Sequence, residues 1–221
     1  MEAAAVLREL PYAFLVAGAV FLGLYLANYF YDRGIVHWMS RKVGHLAGSA
    51  AYLLGVFMFS SWFWPVALSA GFTVLLAVAR IFKPETFRGV GGTGRAAGVF
   101  AECWFPLAGT VVLAVGWAVC QEPFASVACI LFMGVGDAVT GLVRSRVSKR
   151  EEKHPLGSLA CLLVCLSLAW ALISPFWVGA AAAVAATVAE YLCGNVGRIK
   201  FLDDNLAMPL VAAAVVLPLL R

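Results

Sequence analysis

The chain reads as an all-α, polytopic membrane helix bundle, and three observations predict it. Of its 221 residues, 63% are hydrophobic and only 13% are charged, more apolar surface than a soluble domain of this size needs. The apolar residues fall into runs close to the roughly 20 residues that cross a bilayer. The cations gather in alternate connections between those runs: Arg33, Arg41 and Lys42; Arg80, Lys83, Arg88 and Arg95; Arg144, Arg146, Lys149, Arg150 and Lys153; Arg198 and Lys200. Of the 16 Lys and Arg, only Arg8 and Arg221 lie outside those four loops. The positive-inside rule then places all four loops in the cytoplasm and both termini on the non-cytoplasmic side. The net charge of +4 is thus a one-sided field that also suits anionic headgroups.

About eight spans are expected from run length, near 10–31, 44–60, 62–81, 97–119, 123–142, 156–173, 175–193 and 205–220. The first follows a leader, Met1 to Leu10, in which Arg8 is set against Glu2 and Glu9. A signal peptide's basic start is therefore missing, and an uncleaved helix is expected. The second span is preceded by Ser40-Arg41-Lys42-Val43-Gly44-His45. If that segment is helical, Arg41 and His45 are i,i+4 neighbours and Lys42 lies three residues from His45, so three nitrogen donors share one side. A pair of serines, Ser60-Ser61, turns into the third span, which ends at Arg80.

The loop to the fourth span, Phe87-Arg88-Gly89-Val90-Gly91-Gly92-Thr93-Gly94-Arg95, exposes backbone amides of the kind that cradle phosphate. It is neither a Walker A loop nor a dinucleotide fingerprint. Glu102 follows inside the span, where an acid faces the bundle interior rather than lipid. The fifth span carries Gly134-Val135-Gly136-Asp137 near its end and then enters the densest basic loop. A carboxylate at the membrane edge is costly and usually functional, and the cations beside it suit a phosphorylated ligand.

That loop closes on Lys153-His154-Pro155-Leu156-Gly157-Ser158. Gly157 and Ser158 are expected to open the sixth helix, whose unpaired N–H groups favour anions. The alanine-rich stretch Ala180 to Ala189 suits close helix packing, with Glu190 near its end. The last span opens on Asp203-Asp204-Asn205. One of those three is accounted for as an N-cap; with Glu190 they form an all-oxygen set suited to Mg²⁺. Six cysteines lie within or at the ends of apolar runs without a Cys-x-x-Cys motif, so they read as small buried hydrophobes; Cys161 and Cys165 share one helical face. No internal repeat is visible, and the chain is read as one integral membrane domain, 1–221.

In their order, Arg41-Lys42-x-x-His45, Gly136-Asp137-Ala138 with Gly141, Lys153 through Gly157-Ser158-Leu159-Ala160, and Glu190 with Asp203-Asp204-Asn205 and Pro209 resemble the polyprenol kinase family. That family includes dolichol kinases, phytol kinases and CTP-dependent diacylglycerol kinases. The resemblance spans roughly residues 40 to 210. It implies a multi-span enzyme that moves the γ-phosphate of CTP, with Mg²⁺, onto a lipid bearing one hydroxyl, and no nucleic-acid partner.

On that basis Asp137, Lys42 and His45 are the candidate catalytic residues. Arg41, Lys42, Arg95, Lys149, Lys153, Gly157 and Ser158 are candidates for binding nucleotide phosphates, and Asp137, Glu190, Asp203, Asp204 and Asn205 for the metal. The sequence departs from the family pattern where Arg144 and Ser148 replace expected glycines, where Pro155 replaces a Ser or Thr, and where Ala77 replaces an acid one turn before Arg80. The same features accommodate a phosphatidate cytidylyltransferase making a CDP-lipid, or, in another class, an ion-coupled transporter.

Overall fold

The computed structural model describes residues 3–91, 100–148, 153–194, 197, 199 and 202–221. Among them every regular element is helical, and the one exception is an isolated parallel bridge between Cys193 and Ile199. The helices are α1 (Ala3–Arg8), α2 (Leu10–Asp32), α3 (His37–Met58), α4 (Phe63–Phe82), α5 (Ala101–Leu113), α6 (Pro123–Leu131), α7 (Ala138–Val147), α8 (Pro155–Leu172), α9 (Phe176–Leu192) and α10 (Asp204–Leu219). Two π-helical segments extend this set, Ala114–Val119 after α5 and Phe132–Asp137 between α6 and α7. Five stretches are long and apolar enough to cross a membrane: Leu10–Asp32, Phe63–Phe82, Ala101–Val119, Pro123–Val147 and Pro155–Leu172. Helices α9 and α10 are apolar but shorter. Large apolar side chains such as Phe14, Phe57 and Trp170 are exposed, which suits a lipid environment. The fold is that of a membrane-embedded helical protein.

The chain falls into two compact units, Met1–Thr110 and Val111–Arg221. In the first, α2 and α3 turn through Gly34, whose φ of +82° is a conformation open to glycine and costly for other residues. They pack closely because Gly23 has no Cβ; one added there would fall 2.1 Å from the Cβ of Ala47. Helix α3 begins at His37, seven residues before the span expected at 44. Arg41, Lys42 and His45 are therefore helical, with the i,i+4 relation that the sequence suggested.

Residues 86–91 are tied down along α2 and α3. Asn28 Nδ2 donates to Thr86 O (2.6 Å) and Asn28 Oδ1 accepts from Gly89 N (2.8 Å). Ser40 Oγ donates to Gly89 O (2.7 Å), and His37 Nε2 lies 3.0 Å from Gly91 O. His37 thus fastens this segment to α3.

The second unit is built around α6, in which every residue from Ala125 to Leu131 is buried. A helix apolar on all sides belongs inside a core, and α8, α9 and α10 surround it. At Phe132 the helix widens into the π segment that ends on Asp137. Such bulges are frequent at functional sites. Helix α9 packs along both α8 and α10, and its alanine face is buried at Ala182, Ala183, Ala186 and Ala189.

Candidate functional site

In the second unit, the ends of three elements converge on one cation. Lys153 stands just before α8, and its Nζ donates to Glu190 Oε1 of α9 at 2.6 Å and lies 3.4 Å from Asp204 Oδ2 of α10. The Lys153 side chain is 8% exposed and that of Glu190 is 1%. Burying two charges is tolerable only when they are paired and hydrogen-bonded. Both Glu190 oxygens meet that condition, because Ser158 Oγ donates to Oε2 at 3.2 Å. Burial works to lower the pKa of Lys153, but Asp204, Glu190, the Glu190 hydrogen bond and Asp137 outweigh it. The ammonium is therefore held above the usual lysine range. Asp137, buried at the end of the π segment, contributes to that field.

The local sequence explains how these groups are presented. Gly136 precedes the aspartate because a Cβ there would sit 3.0 Å from Cys165 Sγ and 3.1 Å from Cys161 Sγ, so the π segment rests directly on two buried thiols. Thr140 Oγ1 donates to Gly136 O (3.0 Å) and approaches Gly157 O (3.3 Å). Gly157 lets α7 and α8 meet, since a Cβ on it would lie 3.2 Å from Thr140 Cγ2. Packing is thus sufficient reason for that glycine. Helix α8 starts earlier than Gly157: His154 is its N-cap, with Nδ1 accepting from Leu156 N at 3.2 Å, and Pro155 occupies the first turn. Proline is favoured there because its missing N–H is not needed, which accounts for its place after the lysine.

At α10, Asp203 is the N-cap and accepts from Asn205 N at 3.0 Å. Capping therefore accounts for Asp203, and Asp204 is the acid that reaches Lys153. Asn205 is fully buried. Gly194, just beyond α9, has φ +89°, and a Cβ on it would fall 2.8 Å from Asp204 Oδ2. It is both a left-handed turn and the floor beneath that carboxylate. Sequence reasoning passed over it, although a glycine directly after a helix end is a signal for such a turn.

The first unit holds its own set of polar groups. His45 is buried on α3 with its ring 5.2 Å from that of Phe105, while Arg41 and Lys42 are half-buried one turn earlier. Arg80 Nε lies 3.6 Å from Glu102 Oε1. Glu102 thus supplies the acid partner that Ala77 does not. Arg95 and Lys149 fall outside the described residues.

Among the described residues, no three His, Cys, Asp or Glu side chains are arranged to hold a metal ion. The acids around Lys153 do match Mg²⁺ in donor chemistry, and that ion commonly takes only one or two carboxylates, with phosphate and water completing its shell. One ammonium set among Glu190, Asp204 and Asp137 leaves acid in surplus, which suits a divalent cation in charge as well as in donor chemistry. Compared with protein-family models, with curated proteins and with solved structures, the chain matches none.

Proposed function

We propose that the protein is a multi-pass membrane enzyme that transfers the γ-phosphate of CTP to the hydroxyl of a lipid alcohol. In this reading about eight helices span the bilayer, α3, α9 and α10 included, with the polar loops in the cytoplasm and both termini opposite. The observation that carries it is the buried Lys153, shared by Glu190 and Asp204 and acted on by Asp137. Phosphoryl transfer asks mainly for positioning and charge neutralisation. A lysine already fixed by two acids has lost its rotamer freedom before any ligand arrives, so holding a phosphate costs less. The order of short motifs shared with polyprenol kinases supports the same reading.

Each residue then has a task. Lys153 binds phosphate oxygens, and Glu190, held by Ser158, fixes the lysine. Asp204 and Asp137 are the acids placed to hold Mg²⁺, because Asp203 is engaged as a cap and Glu190 by two donors. When bound, Mg²⁺ supplies charge neutralisation at the triphosphate. Asp137 is also the candidate to orient or deprotonate the acceptor hydroxyl.

Two labels test this. Purified protein incubated with Mg²⁺, a lipid alcohol and CTP labelled either at the γ-phosphate or in the cytidine should place only the γ label on lipid. Transfer of the cytidine label instead would make it a cytidylyltransferase. Asp137→Asn should lower kcat by about 100-fold or more, the usual range for a lost acid–base group; near-wild-type turnover rejects the assignment.

A further inference from the structure

The first unit contains a narrow, partly open apolar cavity of about 80 Å³. Its long wall is a single face of α3, on which Gly44, Gly48, Ala51 and Gly55 line the cavity at helical spacing. At about 1.5 Å per residue, that wall runs for roughly 16 Å, a shape suited to one extended chain. Phe72 and Leu76 of α4 face it.

A second, independent observation gives this apolar slot a chemical direction. Glu102 lines it, with a side chain only 4% exposed. Its Oε1 has Arg80 at 3.6 Å, whereas its Oε2 is buried with no hydrogen-bond partner among the described residues. A buried acceptor without a donor is expensive. Because Arg80 already balances the charge, what Oε2 lacks is a neutral donor rather than another cation. A carboxylate in the wall also disfavours phosphate or fatty-acid headgroups.

We propose that this cavity binds a single-chain lipid alcohol, its hydroxyl donating to Glu102 Oε2 and its tail lying along the Gly44–Gly55 face of α3. Identifying that alcohol as the phosphate acceptor rests on the kinase reading, in which its hydroxyl is released from Glu102 before Asp137 acts on it; binding itself does not rest on that reading. The slot selects a linear isoprenoid or alkyl alcohol over diacylglycerol, which must place two chains.

The test uses the full chain in phosphatidylcholine nanodiscs without nucleotide, and a long-chain primary alcohol carrying a diazirine beside its hydroxyl. Photolysis should label peptides containing Gly44–Gly55 or Glu102–Pro106. An unlabelled isoprenoid alcohol should compete, and its methyl ether and diacylglycerol should not. Glu102→Gln should weaken capture about tenfold or more, as expected for loss of a charge-assisted hydrogen bond. Gly55 has only ordinary contacts to Phe59 and Pro65 around the place of a Cβ, so Gly55→Leu should fold, block long-chain alcohols and spare a short-chain analogue. Equal competition by the ether or by diacylglycerol, or unchanged capture in both variants, would overturn the proposal. Intact capture without γ-label transfer refutes only the kinase reading; γ-label transfer without capture on these helices refutes only this one.

Discussion

Each unit buries an acid beside a cation, but the two arrangements are unbalanced in opposite ways. In the first, Glu102 has one oxygen near Arg80 and another without a donor among the described residues. In the second, Lys153 is a single donor group contested by Glu190 and Asp204 within the field of Asp137. A lone acceptor facing an apolar cavity can be satisfied by a neutral hydroxyl. Several acids around one cation call instead for further positive charge. The difference teaches that the same residue types, similarly buried, ask for different partners according to which of them is in surplus.

The largest expected effect comes from removing the cation in surplus acid. Lys153→Met leaves Glu190 buried without its counter-charge, which should cost about 3–5 kcal/mol and abolish label transfer. Adding Glu190→Gln to that variant should recover much of the loss in thermal unfolding measured in detergent. Strict additivity of the two changes would show that the pair is not energetically coupled and would break the contrast with the first unit.

Next in size is the pH dependence. The pKa of Lys153 is raised in the folded protein above its unfolded value of about 10.4. Its contribution to stability is therefore complete below that value and is lost as pH rises through the higher folded one. Melting temperature should fall more steeply above about pH 10.4 in the wild type than in Lys153→Met; parallel alkaline slopes would reject the assignment.

Gly194→Ala should cost about 1–2 kcal/mol from its left-handed backbone alone, and more through displacement of Asp204. Combining it with Asp204→Ser should remove the steric part and leave the backbone part, a partition readable from melts of the three variants. The smallest effect belongs to the exposed first-unit pair of Arg88 and Asp32, 2.9 Å apart. Surface pairs contribute little and are screened by salt. Arg88→Ala should melt close to wild type, and any difference should vanish at high ionic strength. A cost rivalling that of Lys153→Met would mean that burial is not what separates the two kinds of pair.

Much of the fold could be read from run length, because membrane helices must satisfy their own backbone and so declare themselves as apolar stretches. The start of α3 could not, since Arg41, Lys42 and His45 break the apolar run while the helix continues through them. The acids and Lys153 were legible as separate motifs. Their pairing was not: Lys153 and Glu190 are 37 residues apart, and nothing local records which acid of Asp203 and Asp204 becomes the cap and which turns inward. The π segment before Asp137 was also hidden, because one extra residue in a helical turn changes hydrogen bonding and leaves composition untouched.

That widened turn sets what kind of mutation this region can survive. A π turn takes up one extra residue while the helix on either side keeps its register, so deleting one residue between Phe132 and Asp137 would let the segment rewind to an ordinary α-helix without turning the helix that follows. The change would fall on the residues inside the wide turn. Asp137 closes that turn, so the direction of its carboxylate is what such a deletion alters.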